Sequence, residues 1–316
     1  MTRVVVVTGA SSGIGLATAR AFARQGARLV LAARSAESLA AAERLCVSDG
    51  GEVLVVPTDV AAAGEVEKLM VVAEQRFGAI DVVVHAAAVL AYGRFEDVPT
   101  DIFDHVLTVN IQGTANVGRS ALRSFRSQGS GTLIVVGSLL GTIATPYLSS
   151  YVASKWAIHG LTRTWQLEVR PDPGVEVALV WPGSVNTPAY SQAANYAGRI
   201  GRPPPPVDPP EKVARRIVRL ADRPRRATSV GVANRLTLFG FRWLPGVFDR
   251  LVTPLMKAGG LSRDKVGAHP GNVPAPSPRG DGEYGRWGRH WLRPLAGTTV
   301  AAAVAGAGWK VRRRRA

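Results

Sequence analysis

The sequence predicts an α/β fold, with a doubly wound parallel sheet of about seven strands and helices on both of its faces. Short runs of β-branched and other apolar residues alternate along the chain with segments of helical periodicity. The runs are apolar at nearly every position, as is typical of strands buried on both faces. A glycine-rich turn joins the first run directly to the first helical segment, and no internal repeat interrupts the alternation.

The alternation can be followed element by element. Predicted strands cover residues 3–8, 28–33, 53–57, 81–88, 132–137, 176–181 and 228–232. Predicted helices cover residues 16–25, 36–47, 64–77, 102–128, 151–169 and 212–221, and Ser35 is placed to cap the second of them. Because parallel strands are joined by right-handed crossovers, their carboxyl ends meet at one edge of the sheet, where ligands bind in such folds.

Composition divides the chain into four parts. Residues 1–233 hold the alternating strands and helices and form the predicted α/β domain. Residues 234–260 mix leucine, phenylalanine and tryptophan with arginine, which predicts an amphipathic helical extension. Residues 261–293 are rich in proline and glycine and predict a flexible linker. Residues 294–316 join an apolar segment to a basic C-terminus.

The net charge of +16 is carried entirely by the second part of the sequence. Residues 1–200 contain 16 Lys+Arg and 16 Asp+Glu, whereas residues 201–316 contain 23 and 7. A neutral body with a basic tail predicts an anionic partner for the tail, and a membrane surface is one candidate. Nucleic acid is not expected, because aromatic residues are not interleaved with the basic ones beyond Trp287 and Trp291.

A single cysteine, Cys46, excludes an internal disulfide framework and predicts a reducing compartment, so we expect a cytoplasmic protein. Cys46 itself is interpreted as a small apolar residue of a helix. Residues 295–309 are apolar and precede Lys310 and four arginines, which resembles a membrane anchor held by a basic cluster. At fifteen residues this segment is short of the roughly 20 that a spanning helix needs, and it could instead pack on the body or on a partner subunit.

The turn after the first strand is typical of a phosphate-binding site. It reads Thr8-Gly9-Ala10-Ser11-Ser12-Gly13-Ile14-Gly15. Gly9 permits the tight turn, Gly13 lets the backbone approach a pyrophosphate, and Gly15 lets helix and strand pack closely. The helix N-terminus adds unpaired N–H groups and a partial positive charge. The turn therefore predicts a dinucleotide coenzyme.

The end of the second strand predicts which coenzyme binds. An NAD site usually has an acidic residue there for the ribose hydroxyls, and this chain has Arg34 instead. A guanidinium can bind a 2′-phosphate, which favours NADP(H), although Arg34 could also be a solvated residue before a helix. Asp59, after the third strand, either accepts a hydrogen bond from the adenine amino group or caps the next helix.

Tyr151 and Lys155 are the candidate chemical centre. Four residues apart on one predicted helix, they share a face. A nearby ammonium favours the phenolate and should lower the pKa of the tyrosine, so that Tyr151 can exchange a proton with a substrate hydroxyl. The pair alone is common by chance. Ser138, at the end of the preceding strand, can hydrogen-bond a substrate oxygen, and Asn110 can form a polar kink that holds a water.

Together these motifs resemble the short-chain dehydrogenase/reductase family, whose catalytic domain has the Rossmann fold. The matching positions are residues 8–15, Asp59-Val60, Asn110, Ser138, Tyr151 with Lys155, and Pro182-Gly183 with Val185 and Thr187. The resemblance covers about residues 1–255 and makes residues 1–233 the NADP(H)-binding catalytic domain. It implies a catalytic tetrad of Asn110, Ser138, Tyr151 and Lys155.

The resemblance also implies the coenzyme contacts and the quaternary state. Lys155 would hold the nicotinamide ribose, while Val185 and Thr187 would contact the carboxamide. Further coenzyme-binding positions would be Ser11, Ser12, Ile14, Val60, Ala86, Pro182 and Gly183, together with Asn110 and Tyr151 of the tetrad. No metal site is predicted, and we expect a homo-oligomer, either a dimer or a tetramer. One motif departs from the family: Asn-Asn-Ala-Gly after the fourth strand is His85-Ala86-Ala87-Ala88 here. This departure puts sheet stability or coenzyme affinity in question, and His85 is interpreted as a satisfied buried residue.

The predicted function is an NADP(H)-dependent oxidoreductase that moves a hydride between nicotinamide and a carbonyl or alcohol. The expected substrate region comprises residues 139–141, Leu148 and residues 188–207, with Tyr190 and Tyr196. It is mostly apolar, so the expected substrate is a small apolar carbonyl or alcohol. The proline run at 203–206 would stiffen the exit from a lid. The alternatives are a catalytically silent protein that senses nucleotide or associates with membranes, and an oxidoreductase with a nucleic-acid arm.

Overall fold

A computed structural model gives the structure of residues 2–277 and 280–287. In chain order the elements are β1 Val4–Thr8, α1 Gly13–Ala23, β2 Arg28–Ala33, α2 Ala36–Ser48, β3 Glu52–Pro57, α3 Ala63–Phe77, β4 Val82–His85, β5 Ala91–Tyr92, α4 Thr100–Leu107, α5 Gly113–Gln128, β6 Gly131–Val136, α6 Ser149–Glu168, β7 Val175–Pro182, α7 Ala189–Gln192, β8 Ala194–Asn195, β9 Arg199–Gly201, α8 Pro210–Asp222, β10 Ala227–Val230, α9 Asn234–Trp243, α10 Pro245–Leu255 and β11 Leu261–Lys265.

The central sheet has seven strands in the order β10-β7-β6-β4-β1-β2-β3, and every neighbouring pair is parallel. From β1 the chain first adds strands β2 and β3 on one side of the sheet and then adds β4, β6, β7 and β10 on the other side. This change of side, between β1 and β4, gives the doubly wound Rossmann arrangement. The predicted fold class is therefore confirmed. The change of side opens a crevice at the carboxyl ends of the strands, next to the turn that follows β1.

Successive residues of each strand bury opposite faces. Val6 of β1 packs into one core, with Leu69 of α3 and Phe125 of α5. Val5 and Val7 pack into the other, with Phe22 of α1. Because both faces are covered by helices, the strands are apolar over most of their length. Cys46 is fully buried in the second core, as expected for a small apolar residue.

The largest change from the predicted elements is in the long helix expected over residues 102–128. It is interrupted by a π-helical turn at Thr108–Gln112, between α4 and α5. Such turns insert a residue into the helical ladder and are frequent at functional sites. Asn110 lies within this one, so a polar kink occurs where the sequence predicted it. The fourth strand also ends at His85 rather than at residue 88, and Ala87 then packs against Gly9.

The C-terminal extension differs from its prediction in two ways. The expected amphipathic segment is a pair of helices, α9 and α10, because Pro245 occupies the first turn of α10 and starts a new helix there. The expected flexible linker from residue 261 begins instead with β11, which pairs antiparallel with β9. Residues 269–277 and 280–287, called the strap below, then cross back over the body, where polar side chains of the α/β domain bind the backbone of the strap.

Within residues 2–277 and 280–287, no helix is long and apolar enough to cross a membrane. The apolar segment at 295–309 and the basic C-terminus lie outside the described residues.

Candidate active site

A cavity of about 990 Å³ opens at the carboxyl ends of the central strands. Of the residues predicted for catalysis or coenzyme binding, all but Asn110 line it: Gly9, Ser11, Ser12, Gly13, Ile14, Gly15, Arg34, Asp59, Val60, Ala86, Ser138, Tyr151, Lys155, Pro182, Gly183, Val185 and Thr187. Residues separated by almost 180 positions in the chain thus meet at one edge of the sheet. The cavity is lined far more by apolar than by polar surface.

The glycine turn has the geometry of a phosphate-binding cradle. Gly9 and Gly13 have positive φ angles of 67° and 52°, which other residues rarely adopt. A Cβ on Gly15 would lie 2.0 Å from the carbonyl oxygen of Gly9, so only glycine permits this contact between helix and turn. The first turn of α1 carries no acidic residue that would repel a phosphate, and Gly13, Ile14 and Gly15 line the cavity. These features fit a dinucleotide pyrophosphate.

Arg34 lies at the end of β2 and is tied to the strap. Its two terminal nitrogens donate to the carbonyl oxygens of Asn272, at 2.6 Å, and Val273, at 3.1 Å. Burial lowers the pKa of Arg34, and the charge of Asp59 works in the opposite direction. The guanidinium has five N–H donors, so these two bonds leave others available, and Arg34 lines the cavity.

Asp59 begins the segment that leads into α3. Its Oδ1 accepts a hydrogen bond from the backbone N–H of Ala61, at 2.9 Å, while its own N–H donates to Glu65. The carboxylate therefore stabilises this turn but does not cap α3, which begins at Ala63 without a side-chain cap, so the expected capping role is wrong. Asp59 also lines the cavity.

Tyr151 and Lys155 lie one turn apart on α6 at the floor of the cavity. Lys155 is almost fully buried, its Nζ is 5.4 Å from the centre of the Tyr151 ring, and it donates to the carbonyl oxygen of Val136 at 3.1 Å. Burial lowers the pKa of Lys155 to about 8. Burial raises the pKa of Tyr151 to about 12, against the effect of a hydrogen bond with Ser138. This direction is the reverse of the one expected, because desolvation of the phenolate outweighs the favourable contacts.

Ser138 follows β6 and is positioned by a residue that sequence reasoning missed. The backbone N–H of Ser138 points to Nε2 of His159, at 3.4 Å, and a Cβ on either Gly137 or Gly141 would come within 2.5 Å of that nitrogen. Burial lowers the pKa of His159 to about 4, which leaves a neutral ring able to accept. His159 follows Lys155 by four residues, as Lys155 follows Tyr151, so helical spacing could have identified it.

Asn110 does not reach the cavity and instead fastens the π-helical turn to its surroundings. Its Oδ1 accepts from the N–H of Val89 and its Nδ2 donates to the carbonyl oxygen of the same residue, both at 2.9 Å. Nδ2 is also 3.0 Å from the hydroxyl of Ser154, which in turn donates to the carbonyl oxygen of Tyr151. Asn110 is thus linked to α6 through one serine.

His85, which departs from the expected motif, braces the sheet. Its two ring nitrogens lie 2.8 Å from the hydroxyl of Thr8 on β1 and 2.9 Å from that of Thr114 on α5. Burial lowers the pKa of His85 to about 3, so the ring is neutral. The interpretation of a satisfied buried histidine is confirmed, and it joins the strand to the helix behind it.

The loop after β7 and the apolar wall complete the site. A Cβ on Gly183 would lie 2.3 Å from the Asn234 side chain, a buried residue that the sequence did not single out. Leu139, Leu140, Leu148 and Tyr190 line the cavity as expected, whereas Gly141 and Tyr196 do not. Among the described residues no cluster of His, Cys, Asp and Glu could hold a metal ion.

Residues 3–196 match the family model described as short chain dehydrogenase, which is more than half of the chain. The chain belongs to the short-chain dehydrogenase family. A similar protein is the uncharacterized oxidoreductase YxnA of Bacillus subtilis, 34% identical over 261 residues that are 80% of this chain and 72% of the relative.

Two solved structures extend the likeness. The alcohol dehydrogenase of Thermococcus sibiricus complexed with 5-hydroxy-NADP is 33% identical, with a TM-score of 0.61 over 73% of this chain and 95% of that one. A short-chain dehydrogenase/reductase of Burkholderia phymatum in complex with NAD is 26% identical, with a TM-score of 0.69 over 80% and 96%. The chain is therefore an oxidoreductase that uses a nicotinamide coenzyme and acts on CH–OH or C=O groups.

Proposed function

We propose that this short-chain dehydrogenase uses NADP(H) to reduce the carbonyl group of a small apolar substrate, with Tyr151 as the proton donor. The observation that carries the proposal is the position of half-buried Tyr151 and buried Lys155, which share one cavity with Ser138 and the glycine turn. A silent nucleotide-binding protein would have no need of this pair, and no observation favours it.

The proton chemistry follows from burial. The coenzyme, when bound, supplies or accepts a hydride. In the reductive direction Tyr151 donates its phenolic proton to the carbonyl oxygen while the carbonyl carbon receives the hydride, so that ketone becomes alcohol. A pKa raised to about 12 keeps Tyr151 protonated at neutral pH, which is the form required for this step. The Ser138 hydroxyl holds the oxygen, and the Lys155 ammonium stabilises the phenolate that forms.

Two features support NADP(H) over NAD(H). No acidic residue follows β2 to accept the ribose hydroxyls, and Arg34 lies there with guanidinium donors still available. The solved relatives are named with either coenzyme, so the preference is tested by substitution. The expected homo-oligomer stays a prediction.

The test is a panel of apolar ketones and aldehydes, assayed with NADPH and NADH. We expect turnover of at least one compound and a preference for NADPH of about tenfold or more in kcat/KM, since one charged hydrogen bond is worth roughly this factor. Arg34→Asp should reverse the preference, because a carboxylate repels the 2′-phosphate and accepts from the ribose hydroxyls.

The control separates Arg34 from the strap that it holds. Glu283→Gln removes the ion pair between the strap and Arg20 and leaves Arg34 intact. It should therefore change kcat/KM for NADPH and for NADH by the same factor. Equal use of NADPH and NADH by the unaltered protein would contradict the role given to Arg34. A panel without any turnover would contradict the proposed function.

A further inference from the structure

The helical hairpin formed by α9 and α10 exposes an apolar surface. Across residues 234–255 the only buried residue is Asn234. On α9, Leu236, Phe239 and Trp243 lie on one face at helical spacing and are 75%, 52% and 72% exposed. On α10, Val247, Leu251 and Leu255 form a second exposed stripe. Exposed apolar patches of this kind mark interaction sites in soluble proteins.

The hairpin is nevertheless held in place by aromatic contacts. The ring of Phe241 packs edge-on against Phe248 of α10, with centroids 5.2 Å apart, and against Trp156 of α6 at 6.4 Å. The helices are therefore joined to each other and to the domain through one aromatic cluster. On α9 the exposed stripe lies on the opposite side of the helix from Phe241, whereas on α10 Phe248 borders the exposed stripe.

Basic residues border the apolar stripes. Residues 234–257 contain Arg235, Arg242, Arg250 and Lys257 against the single acid Asp249, and all five side chains are exposed. This surface therefore has a net charge of +3. If a second copy of the chain covered this surface with its own hairpin, two surfaces of charge +3 would face each other. Residues 288–316 of the same chain, with seven Lys+Arg and no acid, are also positively charged. Charge complementarity thus favours an anionic occupant.

The hairpin surface is continuous with the active-site cavity. Leu236, Phe239, Val247, Leu251 and Leu255 all belong to the cavity wall as well as to the exposed stripes. An apolar compound lying against this surface would meet an unbroken apolar path toward Tyr151. Trp243 is outside the cavity wall, so it can be changed without altering the path.

We propose that the α9–α10 hairpin docks on an anionic lipid bilayer and that the substrate enters the cavity from that bilayer. Leu, Phe and Trp on one face with arginines beside them is the pattern of helices that lie in the membrane interface. The docking stands by itself, whereas the entry of substrate rests on the proposed function.

The test compares flotation of the full chain with vesicles of phosphatidylcholine, with and without phosphatidylglycerol. We expect binding to the anionic vesicles that weakens as salt rises. Trp243→Glu should lower the partition coefficient about tenfold, because a charge replaces a membrane-facing aromatic. Phe95→Glu is the matched control, since Phe95 is 69% exposed and packs edge-on against Phe103 of α4, outside residues 234–255, and it should bind as the unaltered protein does.

Two results would overturn the docking. The first is that the unaltered protein does not bind anionic vesicles, and the second is that, at high salt, Trp243→Glu binds them as strongly as the unaltered protein does. A Trp243→Glu variant that dissociates a dimer without affecting flotation would assign the surface to a second copy. Turnover of a water-soluble substrate without vesicles tests the proposed function separately. If entry is from the bilayer, Trp243→Glu should slow only the turnover of a vesicle-borne substrate.

A different observation concerns the strap, which contacts groups predicted to bind coenzyme. The carbonyl oxygen of Gly282 accepts from the N–H of Gly13, at 2.9 Å, and Gly285 lies against the carbonyl of Thr187. Arg34 holds Asn272 and Val273, the second of which is fully buried. The strap is thus attached beside the phosphate turn, the second strand and the loop after β7.

The strap forms part of the cavity wall. Asn272, Pro276, Ser277 and Asp281 line the same cavity as the glycine turn. Gln192 of α7 donates to Asp281, at 2.7 Å, and to the carbonyl oxygen of Ser277. The strap therefore forms one wall of the cavity that also holds the glycine turn.

The geometry points to the strap as a cover that encloses bound coenzyme and must lift before coenzyme exchanges. An ion pair between Glu283 and Arg20, at 2.6 Å and with a nearly buried carboxylate, fastens it outside the cavity. Arg20 also pairs with Asp49, so it would retain a partner if Glu283 were neutralised.

Glu283→Gln is the test, because it weakens the strap without touching the cavity. We expect the rate constant for NADPH release, followed by stopped-flow fluorescence, to rise about tenfold, with a matching rise in Kd. Asp222→Asn removes an exposed ion pair with Arg3 and is the matched control, for which release should be unchanged. Unchanged release in Glu283→Gln would overturn the inference. Tighter NADPH binding would also overturn it, by making the strap a competitor for the phosphate donors.

Discussion

Replacing Tyr151 with Phe should lower kcat for carbonyl reduction about 10²- to 10⁴-fold, the usual range for loss of a general acid. The substitution removes the proton that the substrate oxygen must receive and leaves the ring that packs in the cavity. The coenzyme turn, Arg34 and the strap are untouched, so Kd for NADPH, measured by fluorescence titration, should stay within a few-fold of its original value.

Tyr190→Phe is the matched control, because Tyr190 lines the same cavity and, like Tyr151, is half-buried. Its hydroxyl hydrogen-bonds the backbone of Val185, and nothing in the proposed step uses it. Its kcat should therefore change less than about tenfold, which is below the range for a general acid. A Tyr151→Phe variant that keeps its kcat would remove Tyr151 from the chemistry, and one that loses NADPH binding would show a structural role.

Much of the fold and of the site could be predicted because both depend on local sequence and on one topological rule. Runs such as residues 4–7 are apolar at every position, which specifies a strand buried on both faces. The carboxyl ends of parallel strands share an edge, so Arg34, Asp59, Ser138 and Thr187 had to lie near one another once the strands were identified. No contact between them needed to be predicted separately.

The strap could not be predicted from sequence because its partners have no signature. Arg34 binds backbone carbonyls 238 and 239 residues away, and every residue carries such a carbonyl. Proline and glycine in this segment remove the periodicity by which an ordered element is recognised. The same composition is typical of flexible linkers, so only tertiary contacts separate the two structures.

The reversed pKa shift of Tyr151 has a similar origin. Sequence spacing shows that Lys155 is near Tyr151, and that proximity favours the phenolate. It does not show how strongly the fold removes water from the phenol group of Tyr151. Burial is set by residues from several strands and helices, and its effect on the pKa has the opposite sign and is larger.

Lys155→Met should abolish reduction and, in addition, change how stability depends on pH. Burial lowers the pKa of Lys155 from 10.5 to about 8 in the folded protein. Below pH 8 both folded and unfolded chains carry the charge, so the folded state bears the full cost of burying it. Between 8 and 10.5 the folded chain loses the proton first, and the unaltered protein becomes more stable as pH rises. Methionine has no proton to lose, so the stability of the variant does not rise in this way. Any excess of its unfolding free energy over that of the unaltered protein should therefore shrink between pH 8 and 10.5.

The size of the change follows from the shift in pKa: 2.5 units, the difference between 10.5 and 8, correspond to about 3 kcal/mol. The quantity to measure is the variant-minus-unaltered free energy of unfolding in urea, at about pH 7 and about pH 10. Methionine also leaves the carbonyl of Val136 without its lysine donor, but that cost is the same at both pH values and cancels from the comparison. Lys68→Met, at an exposed position on α3, is the control, and its difference should be equal at both. If the difference in unfolding free energy for Lys155→Met were also the same at both pH values, the Lys155 ammonium would be solvated in the folded protein. The reductive step would then lack the buried charge that stabilises the Tyr151 phenolate.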